Sequence, residues 1–295
     1  MNNKQNLLFG LFLSLCLVCF QVQAKPLPKV ITVDWTIAET LIALDAPPIA
    51  IGDKKAYQRW VKEPKLSATT VDLGSRVQPS IELVKSLKPD IALNSTWWSL
   101  KLGSGFKENI QQESVDFYSN QGITWQQTVI ATRQLGLIVG NPAKAEQLIQ
   151  SIQQQLNQQK MQLSAFHRRP IAVVQFIDAR HVRIYGQNSL FDVVLQRLGL
   201  NNAWHMQTNA WGFNNIDLTQ LAKLPKQTLL VVVHPHPLHI DHQLQKSLLW
   251  QRLPFSQPQN TIVLPAVWSF GALPSMGRFA NVLVAGLNHQ QVTAW

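Results

Sequence analysis

Apolar positions in this chain come as short runs separated by stretches of helical spacing. Val30-Ile-Thr-Val-Asp34 reads as a buried strand, and Ile37, Leu41, Ile42 and Leu44 mark a helix after it. Strand signals recur at Ile49 to Ile51, Val71 to Leu73 and Asp90 to Asn94, with a helix opened by Pro79-Ser80 and running through Leu87. The second half repeats the scheme, with strands at Ile171 to Phe176, Val182 to Tyr185, Leu229 to Val233 and Ile262 to Leu264. Helices are predicted between and after them, at Leu190 to Leu198, Leu218 to Leu224, Leu244 to Leu249 and Met276 to Leu287. This alternation predicts an α/β protein of two lobes, each built on a mostly parallel sheet.

A different pattern joins the halves. Asn141 can cap a helix, Pro142 suits its first turn, and no Gly or Pro follows before Phe166. Ala145, Leu148, Ile149, Ile152 and Leu156 form one apolar stripe. The spacing predicts a rigid helix about 35–40 Å long. It divides the chain into an N-terminal lobe (25–140), an interlobe helix (141–166) and a C-terminal lobe (167–295), following a leader of residues 1–24. A strut of this kind restrains the angle between the lobes.

The leader is read from its three parts: Lys4, the apolar run from Leu7 to Phe20, and small residues at Val22 and Ala24. The run is too short for a membrane anchor. Leu15 and Val18 precede the two cysteines, Cys16 and Cys19, where lipid attachment wants a small residue. Both cysteines leave with the leader, so the exported chain is expected to hold neither a disulfide nor a thiolate site. A hydrophobic fraction of 46% excludes wholesale disorder. The net charge of +10 is scattered without a basic stripe, so no nucleic-acid partner is expected. It fits docking to a membrane complex or contact with an anionic ligand.

Ten tryptophans stand against three tyrosines. Trp125, Trp204 and Trp250 fall within periodic segments and are read as core. Trp35, Trp60, Trp97-Trp98, Trp211 and Trp268 sit where apolar runs break into turns, where α/β sheets bind ligands. Arg76, in the loop Gly74-Ser-Arg-Val-Gln-Pro79, can offer a planar fork to ligand oxygens. Motifs for a nucleophile elbow, a phosphate loop or a zinc-binding helix are missing, so no catalytic residue is assigned and an enzyme is not expected. His234-Pro-His-Pro-Leu-His-Ile-Asp-His242 is rich enough in imidazole to bind a metal, but two prolines break its geometry. It is read as a solvated loop, with a secreted metal-dependent enzyme as the rival.

Several motifs in order carry a resemblance over nearly the whole chain after the leader. They are Trp35-Thr-Ile-Ala-Glu39, Tyr57-Gln-Arg-Trp-Val-Lys-Glu-Pro64, Asp72-Leu-Gly-Ser-Arg-Val-Gln-Pro79, Tyr185-Gly-Gln-Asn-Ser-Leu-Phe191, Asn202-Ala-Trp204, Thr208-Asn-Ala-Trp-Gly212 and Pro265-Ala-Val-Trp268. In these the chain resembles the periplasmic ferric hydroxamate-binding proteins of siderophore uptake. The resemblance implies a periplasmic, monomeric binding protein with a shallow aromatic pocket, delivering a ferric siderophore to the permease of an inner-membrane ABC transporter. Iron arrives fully coordinated, so no cofactor and no metal ligand of the protein's own is implied. The family's pocket arginine falls on Arg76 and its aromatic walls on Trp35, Trp60, Trp211 and Trp268. A pocket tyrosine falls on Trp98, or on Trp97 if the loop shifts by one, and a pocket tryptophan falls on Asn94. Docking acids fall on Glu108 and Asp217. With one arginine nominated and Arg278 left aside, hydroxamates and mixed hydroxamate–carboxylates rank above catecholates. Haem, cobalamin and catecholates remain the alternatives on the same architecture.

Overall fold

The computed structural model describes residues 26–102, 106 and 110–288. The leader and Glu108 lie outside them.

The first lobe is built on β1 (Val30–Thr32), β2 (Ala50–Ile51), β3 (Val71–Asp72), β6 (Ile91–Asn94) and β7 (Gln111–Ser114), in the order β3-β2-β1-β6-β7. Every pairing in it is parallel. A small hairpin of β4 (Gly74–Ser75) and β5 (Gln78–Pro79) carries Arg76 at its turn. The second lobe is mixed. Strands β8 (Ile171–Phe176), β11 (Leu229–Val233) and β12 (Thr261–Leu264) run parallel, while β9 (His181–Tyr185) and β10 (Phe213–Asp217) add an antiparallel meander on the other edge. Every residue of β8 and β11 is buried, as suits strands covered on both faces, with Gln175 the one polar residue of the two.

The edge strands β7 and β10 are among the elements that the periodicity does not show. Their sequences, Gln-Gln-Glu-Ser and Phe-Asn-Asn-Ile-Asp, are polar, and both strands are largely exposed or half-buried. An edge strand with an uncovered face has no need of an apolar run. The helix Trp125–Ile138 is likewise new. The helix expected over Leu244 to Leu249 is two, Ile240–Gln245 and Leu248–Arg252, because Ser247 caps a fresh start with its hydroxyl on the Trp250 N–H. The segment expected as a helix over Leu218 to Leu224 is a 3-10 helix, Leu218–Lys223.

The interlobe helix runs from Pro142 to Gln162 and ends in a 3-10 turn at Ser164–Phe166. Asn141 stands at its N-cap position, but its side chain reaches away and donates Nδ2 to the Leu44 carbonyl at 2.9 Å, tying the helix to the first lobe. The apolar stripe divides between the two cores. Ala145 is buried with the first lobe, Ile149 and Leu156 with the second, and Leu148 touches both. Farther along, Gln155 donates to the Gly277 carbonyl at 2.8 Å and Gln159 to Asn281 at 2.7 Å, both on the last helix, Leu273–Leu287.

The lobes also touch directly. Glu39, fully buried on the helix Trp35–Ala43, accepts the Ala272 N–H at 2.7 Å and pairs with Ser275 Oγ at 2.5 Å. Thr36 Oγ1 donates to the Phe270 carbonyl at 2.6 Å, and Arg278 bridges back to Glu63 at 2.5 Å. Arg278 is thus an interlobe clamp.

Candidate functional site

Strand ends and loops of both lobes enclose a cleft of about 360 Å³. The first lobe contributes Asp34, Thr36, Arg76, Ser95, Trp97, Trp98, Asp116, Phe117 and Tyr118, and the second contributes Trp211, Phe213, Trp268 and Phe270. Arg76, Trp98, Trp211 and Trp268 of the sequence-predicted set therefore meet in one place.

Arg76 is held from three sides. Its Nε donates to the Val33 carbonyl at 2.7 Å, and its backbone N–H donates to Asp53 at 3.1 Å. The guanidinium carbon lies 4.1 Å from the ring centre of Trp35 and 4.4 Å from that of Trp98, a cation sandwiched between two indoles. Desolvation pushes its pKa down to about 10, partly offset by the charges of Asp34 and Asp53, so it stays cationic at neutral pH. Its two Nη groups make no hydrogen bond among the described residues, and Arg76 lines the cleft. They form a fixed, planar donor pair.

The two carboxylates of the cleft are already engaged. Asp34 caps the helix Trp35–Ala43 through the Thr36 N–H at 2.9 Å. Asp116 accepts the Thr96 N–H at 2.8 Å at the start of the helix Thr96–Lys101. Each neutralises part of a helix terminus.

Aromatic rings make the walls. Trp97 of one lobe and Trp211 of the other meet edge to face at 6.2 Å, and Trp211 also meets Tyr118 at 5.4 Å and Phe270 at 5.5 Å. Trp97 is 47% exposed and Trp211 37%, unusual for indoles with so much area to bury. Gly212 sets the Trp211 loop. It has φ +77°, and a Cβ there would fall 2.4 Å from Ser189 Cα, so only glycine lets the loop lie this close.

Trp35 and Trp60 do not line this cleft. Trp35, 5% exposed, donates Nε1 to the Gly52 carbonyl at 2.9 Å and backs Arg76 from behind. Trp60 lies past Trp268, in a separate hollow. Asn94 is no pocket residue either: it is fully buried and accepts the Val33 N–H at 2.9 Å, joining the ends of β1 and β6. Asp217 caps the 3-10 helix after β10, accepting the Thr219 N–H at 2.7 Å, and that bond draws its pKa below the usual carboxylate range.

Tyr118, Phe213 and Phe270 are the walls that sequence reasoning missed. Tyr118 follows the polar strand β7, beside no recognised element, whereas Phe213 stands two residues after Trp211 at the start of the polar strand β10. Phe270 had a signal: it follows Trp268 by two residues in the same loop. Among the described residues no three His, Cys, Asp or Glu side chains are placed to hold a metal ion. In the histidine tract, His234 and His236 stack at 4.0 Å, while His239 and His242 belong to the next helix.

The model of the family described as periplasmic binding protein matches residues 30–267. The chain belongs to this family. It is 28% identical over 258 residues to the iron(3+)-hydroxamate-binding protein FhuD of Escherichia coli, covering 86% of this chain and 85% of that one. The family fold is shared with the siderophore-binding protein FhuD of Vibrio cholerae solved with Fe3+–Desferal (TM-score 0.82, 23% identity, 89% of this chain and 98% of that chain). A catecholate-siderophore binding protein of Vibrio cholerae, VctP, matches with a TM-score of 0.65 at 16% identity, over 90% of this chain and 94% of that chain. Among the described residues no helix is long and apolar enough to cross a membrane.

Proposed function

We propose that the chain is a periplasmic substrate-binding protein that captures ferric hydroxamate-type siderophores between its lobes and delivers them to the permease of an ABC importer. One observation carries the choice of cargo: the cleft holds a single arginine and two carboxylates. A trianionic ferric catecholate entering it would face an unfavourable field, whereas a ferric trihydroxamate core is neutral and bears only partial charge on its oxygens. The paired Nη groups of Arg76 suit those oxygens, and the indole and phenyl walls suit a carbon-rich siderophore backbone. The identity to a hydroxamate-binding relative over most of the chain supports the same reading.

The test is quenching of tryptophan fluorescence by a panel of complexes: ferrioxamine B, a ferric trischatecholate, haemin and cobalamin. Trp97, Trp98 and Trp211 line the cleft, so occupancy reports directly. Saturable quenching by the hydroxamate, and weaker or no response to the others, is expected. Saturation by the catecholate, haemin or cobalamin with no response to ferrioxamine B would overturn the proposal.

A further inference from the structure

A second hollow lies behind the wall formed by Trp268 and Phe270. It consists of two adjoining spaces of about 270 and 250 Å³ that share Trp60, Gln175 and Arg183. One is bounded by Trp35, Trp268 and Phe270, so the last two residues face both this space and the main cleft. The other is lined by Arg59 and His236 as well. The imidazole-rich loop is thus a wall of this chamber.

Its charge is opposite to that of the main cleft. Arg59 and Arg183 line it, and no carboxylate does. Arg183 projects from β9, its guanidinium carbon 4.3 Å from the ring centre of Phe213 and 5.5 Å from that of Phe270. Its Nε is buried without a hydrogen-bond partner, and no carboxylate lies within ion-pair range of it among the described residues. A buried guanidinium nitrogen left unmatched is costly unless an acceptor arrives. Gln175 beside it supplies an amide donor, which already reaches toward the Pro235 carbonyl at 3.3 Å.

We infer that this chamber is an anion subsite that receives a carboxylate-bearing arm of the ligand whose iron centre sits at Arg76. A carboxylate matches the guanidinium fork of Arg183 in plane and charge, and the methylenes leading to it pack on Trp60 and Trp268. Arg59, exposed at the mouth, adds attraction at longer range. The inference rests on the hydroxamate reading for what occupies the main cleft, but not for the chamber's own chemistry.

The test pairs two probes with the same iron centre: ferrioxamine B, which ends in an ammonium, and its N-succinyl derivative, which ends in a carboxylate. Wild-type protein should bind the succinyl derivative at least tenfold more tightly. Arg183→Gln should abolish that preference and leave ferrioxamine B within about twofold of wild type. Arg59→Gln, at an exposed helix end where folding is not at stake, should reduce the preference severalfold. Equal wild-type affinity for the two probes, or an equal loss of both in Arg183→Gln with unchanged melting, overturns the subsite. If neither probe binds wild type, the hydroxamate reading falls and ferric dicitrate decides the chamber. Binding of that complex weakened tenfold by Arg183→Gln supports it, and unchanged or absent binding overturns it.

Discussion

Glu39 of the first lobe accepts the backbone N–H of Ala272 in the second at 2.7 Å, and both residues are fully buried. Ser275 closes the other carboxyl oxygen, and a Cβ on Gly271 would fall 2.5 Å from Glu39 Oε1, so the latch is built against a bare backbone. Burial pushes the Glu39 pKa up to about 8, against the opposing pull of the Ala272 and Ser275 hydrogen bonds. The lobes are therefore locked through a carboxyl that is mostly neutral at pH 7.

That latch predicts a pH dependence of stability. Folded Glu39 keeps a proton that the unfolded chain releases above its ordinary pKa near 4.5. Its contribution is complete below that pH and is lost as pH rises through about 8. Glu39→Gln keeps the neutral shape, so relative to wild type it should gain stability across that window, at most about 1.4 kcal/mol per pH unit. Urea denaturation of both proteins at pH 5 and pH 8.5 checks this, and parallel pH profiles would contradict it.

Arg76 predicts a charge and a geometry separately. Arg76→Ala should weaken ferrioxamine B binding about tenfold or more, from loss of a charge-assisted hydrogen bond of roughly 1.5–3 kcal/mol. Arg76→Lys keeps the charge but loses the planar sandwich between Trp35 and Trp98, and should fall between Ala and wild type. Fluorescence titration gives both constants. A lysine variant as weak as alanine would show that the fork, and not the charge, sets affinity.

The lobes are joined by one helix, the Glu39 latch and the Arg278–Glu63 bridge. Hinge closure of more than a few degrees would break the latter two. Small-angle scattering profiles with and without ferrioxamine B should therefore coincide within error. A clear fall in radius of gyration on binding would show that the lobes swing despite these contacts.

Much of this was readable in the chain because burial writes itself as pattern. Fully covered strands such as β8 and β11 are almost wholly apolar, and the stripe from Ala145 to Leu156 announced a helix packed along both lobes. The resemblance placed Arg76, Trp98, Trp211 and Trp268, which do meet in one cleft. What stayed hidden depends on tertiary contact. Polar edge strands carry no period, so Tyr118 went unnoticed beside one. Arg183 looks like any strand arginine until the fold sets it over Phe213 and Phe270. Trp35 and Trp60 sit one layer away from where the family pattern put them, because Trp268 stands between the two hollows.

Docking to the transporter is proposed to use one acid per lobe, Glu108 and Asp217. Asp217 is a helix cap in its own right, so its charge must be tested apart from its cap. Asp217→Asn keeps the capping oxygen and should melt like wild type, whereas Asp217→Arg loses the cap and should melt slightly lower. Both should bind siderophore normally in solution and lower uptake through the transporter, most strongly with Glu108→Arg added. Normal uptake by the doubly reversed protein would remove both residues from the docking surface.

The proposed function places a ferric hydroxamate between Arg76 and Trp211. Crystals of the protein grown with ferrioxamine B, measured at the iron absorption edge, locate the metal without assumptions about the ligand. One strong anomalous peak is expected in the interlobe cleft, with hydroxamate oxygens within hydrogen-bond distance of the Arg76 Nη groups. Iron found outside that cleft, or an empty cleft at saturating ligand, would contradict it.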